Sequence, residues 1–226
     1  MSIALMLREG TAEKHHETET VPYLRAIFRG GLDPQTYTYQ LESLKYVYEV
    51  MENLFEINKN DPILSKVYYS ELNRLESLNE DITFFQKKFN TSLRGKISNA
   101  TAKYIQYIES VASTRPAMLV AQSYVRYLGD LSGGQAIKKV LVKSFGLEGN
   151  DGTAFYEFPK ISNLNEFKGI YRQALDTLPF DELQKKELLE EARTTFDLNK
   201  FLFLELDEDL RKNIGEEKYQ SLFSAR

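Results

Sequence analysis

Three glycines interrupt a stretch that otherwise reads as helix. Residues 124–135 run YVRYLGDLSGGQ and continue AIKK. Val120, Tyr124, Tyr127, Leu128 and Leu131 lead up to the interruption, and Ile137, Val140 and Leu141 follow it, at the three- and four-residue spacings of an amphipathic helix. Gly129, Gly133 and Gly134 each cost roughly 1 kcal/mol against alanine inside a helix, so something must offset them. Gly129 and Gly133 are four apart and share a face. Lacking Cβ atoms, that face is bare backbone, open to close approach by a flat ligand or by another helix. Asp130 stands beside it as a hydrogen-bonding carboxylate. Ser132-Gly133-Gly134 is a cluster at which helices kink. On these residues alone, helix packing and a flat ligand both stay open.

The remaining bounds are compositional. With 226 residues, 42% of them hydrophobic, the chain can bury a sizeable core, and one domain over residues 1–226 is expected. There is no cysteine, which excludes disulfides, thiolate ligands and cysteine nucleophiles and fits a reducing compartment. A net charge of −4 argues against nucleic acid as a partner. No apolar run approaches a membrane span. The N-terminal MSIALMLREG has no basic leader, and the C-terminal EEKYQSLFSAR is no anchor, so a cytoplasmic setting is expected. The two histidines, His15 and His16, are adjacent, which excludes a metal site built from several histidines but allows one with a single imidazole.

Taken in order, the pattern predicts an all-α fold. Ile3 to about Thr20 reads as one helix with Ala4, Leu7, Thr11, His15 and Thr18 on a stripe. His16 is turned about 100° away. An inward imidazole can ligate a metal through one nitrogen if the other has an acceptor, and Glu19, four residues on, is placed to be that acceptor. A satisfied core or surface histidine is the plainer reading. Asp33-Pro34 is an N-cap followed by proline, opening a long helix with Tyr37, Leu41, Leu44, Tyr48, Met51 and Phe55 on one stripe. The buried Tyr48 hydroxyl needs a partner. Helices are also predicted from about Asn99 to Ser113, from about Asn163 to Leu178, and onward from Asp181, where Gln184 completes a capping box. The stretch TAFYEFPKI reads as partly extended. Lys168 and Arg172, four apart, could clamp a ligand's carboxylates or could simply form a solvated face. The last helix carries Leu189, Ala192, Phe196, Asn199, Phe203, Leu206 and Leu210 as its stripe. Asn199 there is a buried amide in want of partners.

Several of these segments together resemble the heme oxygenase family. YxRYLGDLSGGQ resembles its distal-helix signature. LREGTAEKHHETE resembles its proximal-histidine segment, LKYVYEVME a tyrosine-bearing helix, FKxxYR a propionate-binding segment and FxxNxxxF its C-terminal helix. The likeness runs from Leu7 to about Leu206. It implies a multi-helix bundle with heme b held between an N-terminal helix and a glycine-kinked distal helix. Counting from Thr11 as the family does, the iron ligand would be His15, with Glu19 as its partner. Arg8, Tyr124, Lys168 and Arg172 would meet the propionates, and Phe196 and Asn199 would line the pocket. Asp130, Arg126 and Tyr48 would form the distal hydrogen-bond network beside Gly129 and Gly133. One departure stands out: Ala12 occupies a position where the family commonly has a propionate-binding lysine, and Lys14 is a candidate substitute.

The resemblance further implies oxidative opening of heme to biliverdin, expected at the alpha position, with release of carbon monoxide and iron. Dioxygen is consumed, and Asp130 would hold a water that delivers a proton. No nicotinamide or flavin fingerprint is present, so a soluble donor such as ferredoxin is expected, with Lys138, Lys139 and Lys143 as a candidate docking patch. A non-catalytic heme binder would keep His15 but need no distal network. An unrelated helical ligand-binding or hydrolytic protein would need neither.

Overall fold

The computed structural model describes residues 1–224, so the last two residues of the C-terminal EEKYQSLFSAR lie outside the described residues. Eleven α-helices occur among the described residues, and no strand does. None of the helices is long and apolar enough to cross a membrane.

The expected first helix is two. α1 (Ile3–Gly10) and α2 (Ala12–Glu19) meet at Thr11, whose φ of −106° and ψ of 1° leave helical geometry. The buried Thr11 hydroxyl donates back to the Leu7 carbonyl at 2.7 Å, the back-bond by which threonine bends helices. Gly10, just before it, has no room for a side chain, since a Cβ there would lie 2.6 Å from Leu189. α3 (Pro22–Phe28) follows with proline in its first turn.

α4 (Pro34–Ile57) starts where the sequence places it: the Asp33 carboxylate accepts from the Gln35 and Thr36 amides. All six stripe residues from Tyr37 to Phe55 are buried. α4 packs on α5 (Leu75–Phe89) and α6 (Asn99–Thr114). The end of this layer is aromatic: Phe85 meets Tyr37, Phe89 and Phe145 at centroid distances of 4.9–5.4 Å. Pro116 opens a short 3-10 turn leading into α7 (Leu119–Ser132), and α8 (Gly134–Phe145) continues beyond the break at Gly133. The kink expected at the Ser-Gly-Gly cluster is therefore present.

Residues 153–161 are partly extended, as expected, with Glu157 at φ −95° and ψ 139°, but they open with a turn that was not expected. Ala154–Tyr156 forms a 3-10 turn with Phe155, Tyr156 and Phe158 buried. The cause is long-range: the Asp81 carboxylate on α5 accepts from the Ala154 and Phe155 amides at 2.8 and 2.9 Å. Burial pushes the Asp81 carboxyl up to about 7, against the lowering effect of those two amides. The native chain thus holds a proton that the unfolded chain has released, so this group's contribution to stability falls as pH rises from about 4 to 7. We expect Asp81→Asn, which cannot ionise, to be destabilised less relative to the wild type at pH 8 than at pH 5, as read from urea midpoints. A constant difference across that window would contradict the shift.

α9 (Leu164–Asp176) is capped by the Asn163 side chain. α10 (Glu182–Ile214) begins with the expected capping box of Asp181 and Gln184, and α11 (Glu216–Phe223) folds back on it. α10 is the spine, touching α1, α2, α3, α4, α6 and α7. Its fully packed face is shifted from the expected stripe. Leu188, Thr195 and Leu202 are buried where Leu189, Phe196 and Phe203 are only half-buried, while Ala192, Asn199, Leu206 and Leu210 are buried as expected.

Candidate active site

The half-buried side of α10 faces a cavity. Its volume is about 510 Å³, within the roughly 300–1,000 Å³ of small-molecule sites. α1 and α2 form one wall and α7 with the start of α8 the other. Arg8, His15, Glu19, Tyr124, Arg126, Gly129, Asp130, Gly133, Arg172, Phe196 and Asn199 all line it. The two remaining candidates, Tyr48 and Lys168, do not. Tyr48 is fully buried behind Asp130, and Lys168 lies one helical turn before Arg172, half-buried outside the lining.

His15 is exposed to the cavity, although it shares a stripe with buried Leu7 and Thr11. Its Nδ1 lies 3.4 Å from a Glu19 carboxylate oxygen, and its ring meets the edge of Phe196 at 5.8 Å. His16 does not line the cavity. The i,i+4 geometry thus selects His15 and gives its far nitrogen the acceptor a metal-ligating imidazole requires. Ala12 also lines the cavity, but Lys14 turns away from it and bonds the Asp197 carboxylate at 2.9 Å. The suggestion that Lys14 substitutes for a lysine at position 12 is therefore not supported. Lys138 is likewise engaged, by Glu157 and Asn150.

On the opposite wall the space around each glycine shows which of them serves helix packing. A Cβ on Gly129 would meet nothing within 4 Å, and one on Gly133 only the Gly129 carbonyl oxygen at 3.6 Å. Both positions are exposed to the cavity. No helix among the described residues packs there. Gly134 differs: a Cβ would lie 2.9 Å from the Tyr156 ring, so this glycine does serve packing. We expect Gly129→Leu to fold with a melting temperature near that of the wild type but to lose ligand affinity. Gly134→Leu should lower the melting temperature outright, since overpacking costs about 1–3 kcal/mol. Thermal melts beside ligand titration separate the two, and equal melting temperatures would refute the distinction.

Below the bare backbone lies a closed polar network. Tyr48 donates its hydroxyl to the Asp130 carboxylate. Arg126 splits its donors: Nε to the Tyr48 oxygen at 3.1 Å, Nη1 to Asn199 Oδ1 at 2.5 Å, and Nη2 3.5 Å from Asp130. Asn199 Nδ2 donates to Tyr104 at 3.2 Å and to the Thr195 carbonyl at 2.8 Å. All five side chains of this chain are under a tenth exposed. Burial raises the Asp130 carboxyl above its usual range, offset in part by Arg126, the Tyr48 hydroxyl and Arg74. Burial works against the Arg126 charge too, but the oxygens of Tyr48, Asp130 and Tyr104 more than restore it. Tyr48, pushed well above the ordinary phenol range by burial, stays a donor. The network can therefore hold a carboxylate at the cavity edge in one orientation and deliver or accept a proton there.

Tyr104 was not among the residues expected here. It sits on α6 at the apolar spacing of Ala100 and Ile108, and its sequence context gives no sign of a polar partner 95 residues away. Asn199 was expected, but not its bond to Arg126.

Fold and site together define an all-helical protein with a single-imidazole wall, an opposing wall of bare backbone, and two guanidinium groups, Arg8 and Arg172, at the cavity besides the Arg126 of the polar network. The chain matches the heme oxygenase family profile over residues 1–205. It is 39% identical to heme oxygenase 1 of Synechocystis over 226 residues, all of this chain and 93% of that one. It is 37% identical to heme oxygenase of Guillardia theta over 91% of this chain and 86% of the relative. Its fold superposes on heme oxygenase-1 from Synechocystis in complex with heme with a TM-score of 0.90 at 39% identity, covering 98% of this chain and all of that one. Heme oxygenase from Leptospira interrogans gives 0.86 at 44% identity, over 91% of this chain and all of that one. The chain belongs to the heme oxygenase family.

Proposed function

We propose that this chain binds heme and opens it to biliverdin, at the alpha position, with release of carbon monoxide and iron, in a cytoplasmic setting. The observation that carries the reading is Asp130, presented to the cavity beside the open Gly129–Gly133 backbone and fixed from behind by Tyr48 and Arg126. Heme fits the residues present: one imidazole, bare backbone for a flat ring, and cations for its carboxylates. Bound heme supplies the iron, the binding site for dioxygen and the carbon that is attacked.

The protein's part is geometry and protons. His15, its ring oriented by Glu19 and Phe196, would hold the heme iron. Arg8, Arg172 and the Tyr124 hydroxyl take the heme carboxylates, with Lys168 one turn further out. The bare Gly129–Gly133 backbone would let a flat ring lie close against α7 and would leave little room for dioxygen to stand away from it. Asp130 holds a water and hands it a proton. Arg126 and Tyr48 keep the carboxylate from turning away. Electrons come from a soluble external donor, with ferredoxin as the class proposed.

A heme-storage role is disfavoured by the same network. A binder gains nothing from a buried carboxylate raised by desolvation at its ligand face. The test is absorption spectroscopy of the hemin complex under dioxygen, with reduced ferredoxin as donor, on wild type and His15→Ala. We expect a Soret band that decays to a bilin absorption with carbon monoxide release, and loss of the axial-histidine spectrum in the variant. Heme that binds but survives turnover would make the protein a binder. Mainly beta or delta biliverdin would refute the alpha assignment.

A further inference from the structure

α2, the helix that carries His15, has almost no hydrophobic hold on the molecule. It is eight residues long, AEKHHETE, and its one buried residue is Thr18. A helix of that length is marginal on its own in water, and in proteins an apolar face normally fixes such an element. Here polar contacts to α10 take that role. Lys14 Nζ lies 2.9 Å from Asp197 Oδ1, and Lys200 Nζ lies 2.8 Å from Glu17 Oε2. Lys14 and Glu17 are themselves 3.7 Å apart, so the four charges form an alternating chain, Asp197–Lys14–Glu17–Lys200, that crosses between the two helices twice. One turn before Asp197 on α10, Arg193 Nε donates at 2.8 Å to the carbonyl of Gly10, the last residue of α1.

The position of this chain of charges on α10 matters more than its strength. Asp197 and Lys200 flank Asn199, which accepts from Arg126 and so belongs to the opposite wall. Phe196, in the same turn, meets the His15 ring. Five consecutive residues of one rigid helix therefore touch both faces of the cavity.

We propose that the Lys14–Asp197 and Glu17–Lys200 pairs are an ionic clamp that positions the His15 helix against α10, and that residues 196–200 thereby set the proximal histidine relative to the distal network. The four residues are positioning residues; none lines the cavity or touches a ligand. The inference rests on the heme-binding reading. Because the charged side chains are about a third exposed, the clamp is also weakened by salt.

The test uses the full-length chain and a charge swap. Lys14→Asp places three carboxylates together. The fourfold swap Lys14→Asp, Glu17→Lys, Asp197→Lys and Lys200→Glu restores both cross-helix pairs with their signs exchanged and keeps opposite charges at positions 14 and 17. In the heme-free protein we expect Lys14→Asp to speed hydrogen exchange of the α2 amides by roughly fivefold, the upper range for an exposed pair, with core amides of α4 unchanged. The fourfold variant should return to the wild-type rate. With hemin bound, the iron–histidine stretching band in the resonance Raman spectrum of the ferrous form should shift or broaden in the single variant and recover in the swap. Unchanged exchange in Lys14→Asp, or a swap that does not recover, would overturn the clamp. Exchange that changes while the band does not would show that α2 is held without His15 being positioned, and would overturn the inference as well. A wild type that binds no hemin would instead sink the heme reading, visible before any variant is made.

Discussion

Asp130→Asn should bind hemin much as the wild type does and open it at least about a hundredfold more slowly. The substitution keeps the shape of the side chain and leaves an oxygen to accept from the Tyr48 hydroxyl. What it removes is a group that can exchange a proton. A positioned acid or base contributes typically 10²–10⁴-fold, and no other carboxyl was found in the polar network at the bare-glycine wall. The measurement is single-turnover decay of the Soret band under a fixed reductant, beside a hemin titration. Equal decay rates would mean that Asp130 is structural and that protons reach the cavity another way. A large loss of hemin affinity would mean that the amide disturbs the pocket itself.

The second large effect is on stability. Arg126→Met should destabilise the heme-free chain by about 3–5 kcal/mol, the cost of leaving one partner of a buried ion pair. Three bonds go at once: those to Tyr48, Asn199 and Asp130. The sign with pH follows from Asp130. Arg126 is among the groups that restrain its carboxyl from rising further. Without it the native chain holds the Asp130 proton to still higher pH than the unfolded chain does. The destabilisation relative to wild type should therefore grow as pH rises from about 5 to 8. Adding Asp130→Asn should recover part of the loss and remove its pH dependence. Urea denaturation at the two pH values checks both, and a single variant with wild-type midpoints would show the network to be dispensable for folding.

What could be read in advance was what neighbouring residues decide. α4 was legible because Asp33 and Pro34 start it and six apolar residues keep the helical period to Phe55. The capping box at Asp181 is equally local. Thr11 was misjudged because a threonine inside an amphipathic run looks like any half-polar stripe position, while its back-bond to Leu7 is a matter of rotamer. The stripe on α10 came out a residue off for an instructive reason. Phe196 and Phe203 are apolar because they wall a cavity, whereas Leu188, Thr195 and Leu202 fill the core, and apolarity alone cannot separate the two. His15 was preferred to His16 on the resemblance, counting from Thr11, with Glu19 four residues on, and the structure places it and not His16 at the cavity. The direction of Lys14 was decided by Asp197, 183 residues away. The turn at Ala154–Tyr156 likewise depends on Asp81.

The three glycines of the distal segment answer to different masters over evolutionary time. Gly134 is confined by Tyr156 whether or not anything occupies the cavity, so a descendant that had given up heme would still be selected to keep it. Gly129 and Gly133 face open space, and once the ligand were gone nothing in the polypeptide would resist a side chain there. In any lineage descended from such a chain, drift at those two positions beside an intact Gly134 would mark a scaffold that has outlived its chemistry.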